Sequence, residues 1–166
     1  LCLALADVLA GQVAEIDADV VQVDEANLPG YPQEKDWALE AINRVLDAVQ
    51  TTAAVHLCFG NYGGQTIQQG NWEQLIYYLS NLHCDHVLLE LAHRDNWELP
   101  VLQEIDDKIK FGLGVVDIKT NVVESAENIA RRLDEAVEVL GAERLAYINP
   151  DCGFWMLKRS VADRKI

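Results

Sequence analysis

The chain has 166 residues, half of them hydrophobic, with 27 acidic against 13 basic side chains and a formal net charge of −14. That length suits one domain with its own core, and the acidic balance disfavours nucleic acid, whose phosphates require clustered Lys and Arg. No apolar run approaches the ~20 residues of a membrane span and no basic, apolar leader opens the chain, so neither a membrane nor a secreted protein is expected.

The elements alternate along the chain. An apolar stretch broken by Asp7 predicts a helix over residues 4–16, and Val20-Val21-Gln22-Val23 predicts a buried strand ending at Asp24-Glu25. Asn27-Leu28-Pro29-Gly30 breaks the chain. Ala38, Leu39, Ile42, Val45, Leu46 and Val49 recur at a 3.6-residue period and predict a helix over 34–49. A second strand is expected over 53–59, a Gly- and Gln-rich loop over 60–71, a helix over 72–82 and a third strand over 86–91. A short helix over 99–105 precedes a fourth strand, FGLGVVDI. Ser125 reads as the N-cap of a helix that carries Ile129, Leu133, Val137 and Leu140 on one face and stops at Gly141. A fifth strand follows over 145–148, and another helix begins at Ser160.

Continuous apolar strands alternating with amphipathic helices predict a parallel sheet covered by helices. Five βα units with polar residues at the strand ends fit a TIM-type (β/α)₈ barrel, whose closure needs eight strands and about 250 residues. The chain is therefore expected to hold about the last five units of one barrel domain. The lack of an initial Met and the position of Ile166 inside a predicted helix agree with that expectation. Five strands cannot close, so unpaired edges at the first and last strands, and interior faces open to water, predict self-association.

Three of the strand ends carry residue types that bind zinc: His56 and Cys58 in AVHLCFGNY, Glu90 in HVLLELAHRD and Cys152 in YINPDCGF. One imidazole, one carboxylate and two thiolates would give Zn²⁺ a four-coordinate shell. His-x-Cys by itself is a weak signal, because strand cysteines commonly fill cores. A carboxylate in an apolar strand is the stronger one, because Glu90 needs a cation, a metal or solvent. Asn149-Pro150-Asp151 followed by Gly153 makes a rigid turn that fixes where Cys152 points. Cys2 and Cys84 read as core fillers, and the irregular spacing of the four cysteines predicts a reducing, cytoplasmic setting rather than a disulfide scaffold.

VQVDEANLPG, VHLCFGNY, VLLELAHRD, GLGVVDIKTNVVESAENIARRL and ERLAYINPDCG, in that order, resemble the C-terminal barrel of cobalamin-independent methionine synthase from about residue 4 to the end. The resemblance implies zinc-dependent methyl transfer from a methyltetrahydrofolate to the thiol of homocysteine, with His56, Cys58, Glu90 and Cys152 matching the family's metal ligands. It also implies that Asp24 contacts the amino-acid substrate, with Glu25 beside it. The chain departs from the family pattern at three places. Asp24-Glu25-Ala26-Asn27 stands where Asp-Glu-Pro-Ala is usual, Lys119 stands where a histidine proton donor is usual, and the loop containing Gly63-Gly64 is long. Lys119 is therefore the expected proton donor, and the methyl donor is a methyltetrahydrofolate or another carrier, as in short single-barrel members. Three other readings remain open: a related thiol alkyltransferase, an inactive fragment, and an enzyme of the uroporphyrinogen decarboxylase type, which shares the barrel but lacks thiolate zinc ligands.

Overall fold

The computed structural model describes residues 1–62, 65–94 and 98–166, so Gly63, Gly64 and the Asp95 that ends one of the quoted motifs lie outside the described residues. The main elements are α1 (Cys2–Val13), β1 (Val20–Glu25), α2 (Lys35–Leu46), β2 (Thr52–Leu57), α3 (Ile76–Ser80), β3 (His86–Leu89), β4 (Lys110–Val116), α4 (Ala126–Leu140), β5 (Leu145–Pro150) and α5 (Arg159–Lys165). The strands form one five-stranded sheet in the order β1-β2-β3-β4-β5, with every neighbouring pair parallel. Sequential parallel order requires each crossover to return on the same side, which is how a (β/α) barrel wall is built.

Local signals account for the element ends. Ser125 Oγ accepts the Asn128 N–H at 3.2 Å and starts α4, and Gly141 ends it with φ +86°, a conformation that glycine adopts without a Cβ clash. The predicted helix over 72–82 opens instead as a 3-10 turn, Trp72–Leu75, capped by Asn71, before α3 begins. The segment Leu99–Glu104 is likewise 3-10 rather than α, with Pro100 in its first turn. Asn71 accepts the Gln74 N–H, a local bond that competes with the α pattern.

Trp72, Leu75, Tyr78, Leu79, Leu82, Leu99 and Leu102 pack with Val55, Leu57, Val87, Leu89, Phe111 and Leu113 into the main core. Phe59 and Trp72 meet edge to face at 4.8 Å between ring centroids. At the opposite end of the sheet, buried Arg144 donates to the carbonyls of Ile105, Asp106 and Ile109 and lies over the Phe111 ring. That contact ties the start of β5 to the segment entering β4.

The expectation of interior faces open to water holds at the outer strands, where alternate residues of β1 are exposed, and is corrected at β2 and β4. Residues 53–57 of β2 and 111–116 of β4 are buried on both faces. β3 and β5, which are not sheet neighbours, come close to each other, as in a strongly curled sheet. Exposure of apolar strand residues falls on the outer strands, at Val20 in β1 and at Tyr147 and Ile148 in β5. Those two strands are the unpaired edges.

Candidate metal centre

The sheet register lines up the C-terminal ends. Asp24 of β1 lies beside His56 of β2, and His56 lies beside Leu88 of β3. From these ends and the loops beyond them, His56, Cys58 and Cys152 converge until their ligand atoms all lie within 4.8 Å of one another. His56 Nε2 is buried without a hydrogen-bond partner, which is costly for a polar atom unless something else binds there. Asn61 Nδ2 donates to the Gly153 carbonyl at 3.2 Å, holding the loop after β2 against the turn that carries Cys152.

The electrostatics of the three side chains are compatible with a cation between them. The Cys58 thiol beside it and the His56 imidazole pull Cys152 down to about 4, so its sulfur is a thiolate. The Cys152 sulfur, together with burial, pushes Cys58 up. Burial pulls the His56 imidazole down, but Cys152 and Asp24 outweigh it and leave the imidazole raised. Two sulfurs thus share one proton, and a divalent cation would remove it. The donor set and the partnerless Nε2 fit zinc.

Glu90 stands apart from His56, Cys58 and Cys152. It is fully buried but lies outside the three-residue group. Its Oε2 accepts the Phe59 N–H at 3.2 Å, the amide next to Cys58, and its Oε1 forms an ion pair with Lys119 Nζ at 2.6 Å. The indole N–H of Trp72 holds the Glu90 carbonyl at 3.2 Å. The carboxylate therefore borders the thiolate cluster with a buried ammonium on its other side.

The remaining expected residues separate in role. Asp24 is exposed at the end of β1, holds the Gln22 amide at 2.7 Å and acts electrostatically on His56. Glu25 turns away from it: its Oε1 accepts the N–H groups of Asn27 and Leu28 at 2.6 and 2.9 Å and caps the turn after β1. Lys119 is sequestered with Glu90, and its backbone N–H donates to Asp117 Oδ1 at 2.7 Å.

Two residues of the site were not singled out from the sequence. His93 Nδ1 lies 3.1 Å from Asp117 Oδ2 at the rim. Asp151 is completely buried, and its carboxylate accepts the N–H groups of Leu91, Ala92 and His93 at 2.9, 2.8 and 2.7 Å. Burial pushes the Asp151 carboxyl up to about 7 against the pull of those amides. In sequence the only hint was its place before Cys152, because its partners are 58 to 60 residues away.

Known proteins resemble the chain over most of its length. The sequence model of the family described as "Cobalamin-independent synthase, Catalytic domain" matches residues 1–166. A methionine synthase of Thermococcus kodakarensis is 34% identical over 149 residues, which span 90% of this chain and 41% of that protein. A 2-hydroxypropyl-CoM lyase of Xanthobacter autotrophicus is 28% identical, with 99% of this chain and 51% of that protein covered. Among solved structures, a B12-independent methionine synthase from Shewanella sp. W3-18-1 in complex with selenomethionine superposes with a TM-score of 0.84 at 25% identity, covering 97% of this chain and 50% of that one. The chain thus spans about half or less of the length of these relatives, and its five strands correspond to part of a barrel. The family match replaces the alternative of a uroporphyrinogen-decarboxylase type. The chain belongs to the family of the cobalamin-independent synthase catalytic domain.

Proposed function

We propose that the chain is the C-terminal part of a zinc-dependent methyltransferase barrel that moves a methyl group from a methyltetrahydrofolate to the thiol of homocysteine, giving methionine. The observation that carries this reading is the convergence of His56, Cys58 and Cys152 within 4.8 Å, with Glu90 buried beside them, in a chain of this family. Bound zinc would supply thiol activation, because it makes the substrate sulfur a thiolate at neutral pH.

The chain's own residues then divide the work. His56, Cys58 and Cys152 would hold the zinc as fixed donors, and two thiolates among them would limit its Lewis acidity and so leave a bound thiol nucleophilic. Glu90 is the exchangeable donor, since a carboxylate among thiolates is the hardest of the four ligands. Asp24, exposed and next to His56 in the sheet, receives the ammonium group of homocysteine, and Glu25 supports it by holding the turn. Lys119 is the proton carrier for the departing folate nitrogen. With Glu90 displaced by the substrate sulfur and paired with Lys119 Nζ, as at 2.6 Å here, the ammonium would be held at the site as a proton source. The four free cysteines, two of them in a thiolate cluster, suit a reducing cytoplasmic setting.

A second reading keeps the zinc and the thiol and changes the donor. It is favoured by the similarity to the 2-hydroxypropyl-CoM lyase and by Lys119 at the proton-donor position. X-ray absorption of the zinc-loaded chain tests the shared core of both readings: a shell of two sulfurs with nitrogen and oxygen is expected, and an all-oxygen shell rejects it. Assay of the complete enzyme with methyltetrahydrofolate and homocysteine then separates the donors, with methionine as the expected product.

A further inference from the structure

Asp151 joins two strand ends that do not pair with each other. Its backbone N–H donates to the Val116 carbonyl at 3.0 Å, which seats it at the end of β4. From there its carboxylate reaches over β4 to the three amides that follow Glu90, while the next residue in the chain is Cys152. The passage exists because position 114 is glycine. A Cβ there would lie 2.1 Å from Asp151 Oδ1 and 2.8 Å from the Leu89 carbonyl oxygen. Gly114 does not have positive φ, so its role is steric clearance rather than backbone freedom.

A buried carboxylate is expensive unless it is fully hydrogen-bonded. Here both oxygens are used, and every bond falls on the segment 91–93 that leaves β3 immediately after Glu90. One side chain thereby couples the backbone carrying Glu90 to the backbone carrying Cys152. We infer that Asp151 is a positioning residue, which sets the distance between the Glu90 and Cys152 donors by bracing the end of β3 against the end of β5 through the gap at Gly114. The inference rests on the zinc reading above and adds the element that tunes the site. Partners of this kind outside the ligand shell are commonly worth 10- to 100-fold in metal affinity.

Cobalt titration of the full chain tests it, because Co²⁺–thiolate absorption reports ligand geometry without requiring turnover. In Asp151→Asn, and independently in Gly114→Ala, the dissociation constant for Co²⁺ is expected to rise about tenfold or more, and the cobalt bands should shift in position and intensity. Arg144→Gln is the structural control: it loosens the far end of the sheet and should lower thermal stability while leaving the cobalt spectrum of the folded chain as it is. A wild-type measurement covers the case in which the variants do not fold. If the strap and the donors are coupled, metal loading slows amide hydrogen exchange at Leu91, Ala92 and His93, because linkage is reciprocal. Folded Asp151→Asn with the wild-type spectrum and affinity, or exchange at those amides that ignores the metal, overturns the role of Asp151 alone. A wild-type chain that takes up no Co²⁺ overturns the metal reading and this inference together.

Discussion

Lys119 Nζ and Glu90 Oε1 stand 2.6 Å apart with their side chains 2% and 0% exposed, an ion pair closed off from water at the edge of the thiolate cluster. Removing one member of such a pair leaves an uncompensated buried charge, at a typical cost of about 3–5 kcal/mol. Lys119→Met should therefore destabilise the metal-free chain by that order. If Glu90 is the exchangeable zinc donor, added zinc supplies the missing positive charge and restores most of the loss. Urea denaturation with and without zinc measures both quantities, and an equal loss in the two conditions would mean that Glu90 does not reach the metal. In the complete enzyme the same variant should depress turnover across the pH range while zinc stays bound.

Zinc uptake should release protons. Cys152 is already a thiolate, held down to about 4 by Cys58 and His56, whereas Cys58 keeps its proton beside that sulfur and the His56 imidazole is raised by its anionic neighbours. Metal binding must displace the Cys58 proton, and also the imidazole proton wherever His56 is charged. About two protons per zinc are expected in mildly acidic solution, falling to about one once His56 is neutral, so affinity climbs with pH. Calorimetry in buffers of different ionisation enthalpy counts them, and Cys58→Ser/Cys152→Ser should abolish both the heat and the bound zinc. Proton release that stays at zero would contradict the paired-sulfur site.

Asp24 and Glu25 should behave differently when neutralised. Asp24→Asn in the complete enzyme is expected to raise KM for homocysteine about tenfold or more with zinc content unchanged, since a charge-assisted contact to the ammonium is lost. Glu25→Gln removes the charge from a turn cap and should cost about 1 kcal/mol of stability with little change in KM. Steady-state kinetics beside thermal melting distinguishes the two, and an unchanged KM for the Asp24 variant would withdraw its assignment.

The chain is expected to associate at micromolar concentration. β1 and β5 each present an unpaired parallel edge, and Val20, Tyr147 and Ile148 are exposed along them. Burying apolar surface is worth roughly 25 cal/mol per Å², so a modest strip of edge favours pairing. Sedimentation velocity should show dimers or larger species, and Tyr147→Lys with Ile148→Lys should return the monomer. A wild-type chain that sediments as a monomer would show that the edges are protected.

By itself, the sequence determined the alternation of the fold and the strand ends that carry its candidate donors. Largely apolar runs at 20–23, 53–57 and 145–148, separated by helical periodicity, point to parallel strands buried under helices. Ser125 and Gly141 set the limits of α4 through bonds made within a few residues. His56, Cys58, Glu90 and Cys152 were legible as candidate donors because residue type and distance from a strand end are local properties. What each donor touches was decided by the tertiary structure. Glu90 joined Lys119 rather than the group of His56, Cys58 and Cys152, because that choice depends on where β4 delivers residue 119. Asp151 looked like a turn former, but the packing of β3, β4 and β5 brought it to amides 58 to 60 residues upstream. The burial of β2 and β4 on both faces likewise followed from the curl of the sheet. The physical reason is common to all three: patterning encodes which face of an element is apolar, whereas pairings between distant residues depend on register and curvature, which arise only when the strands assemble.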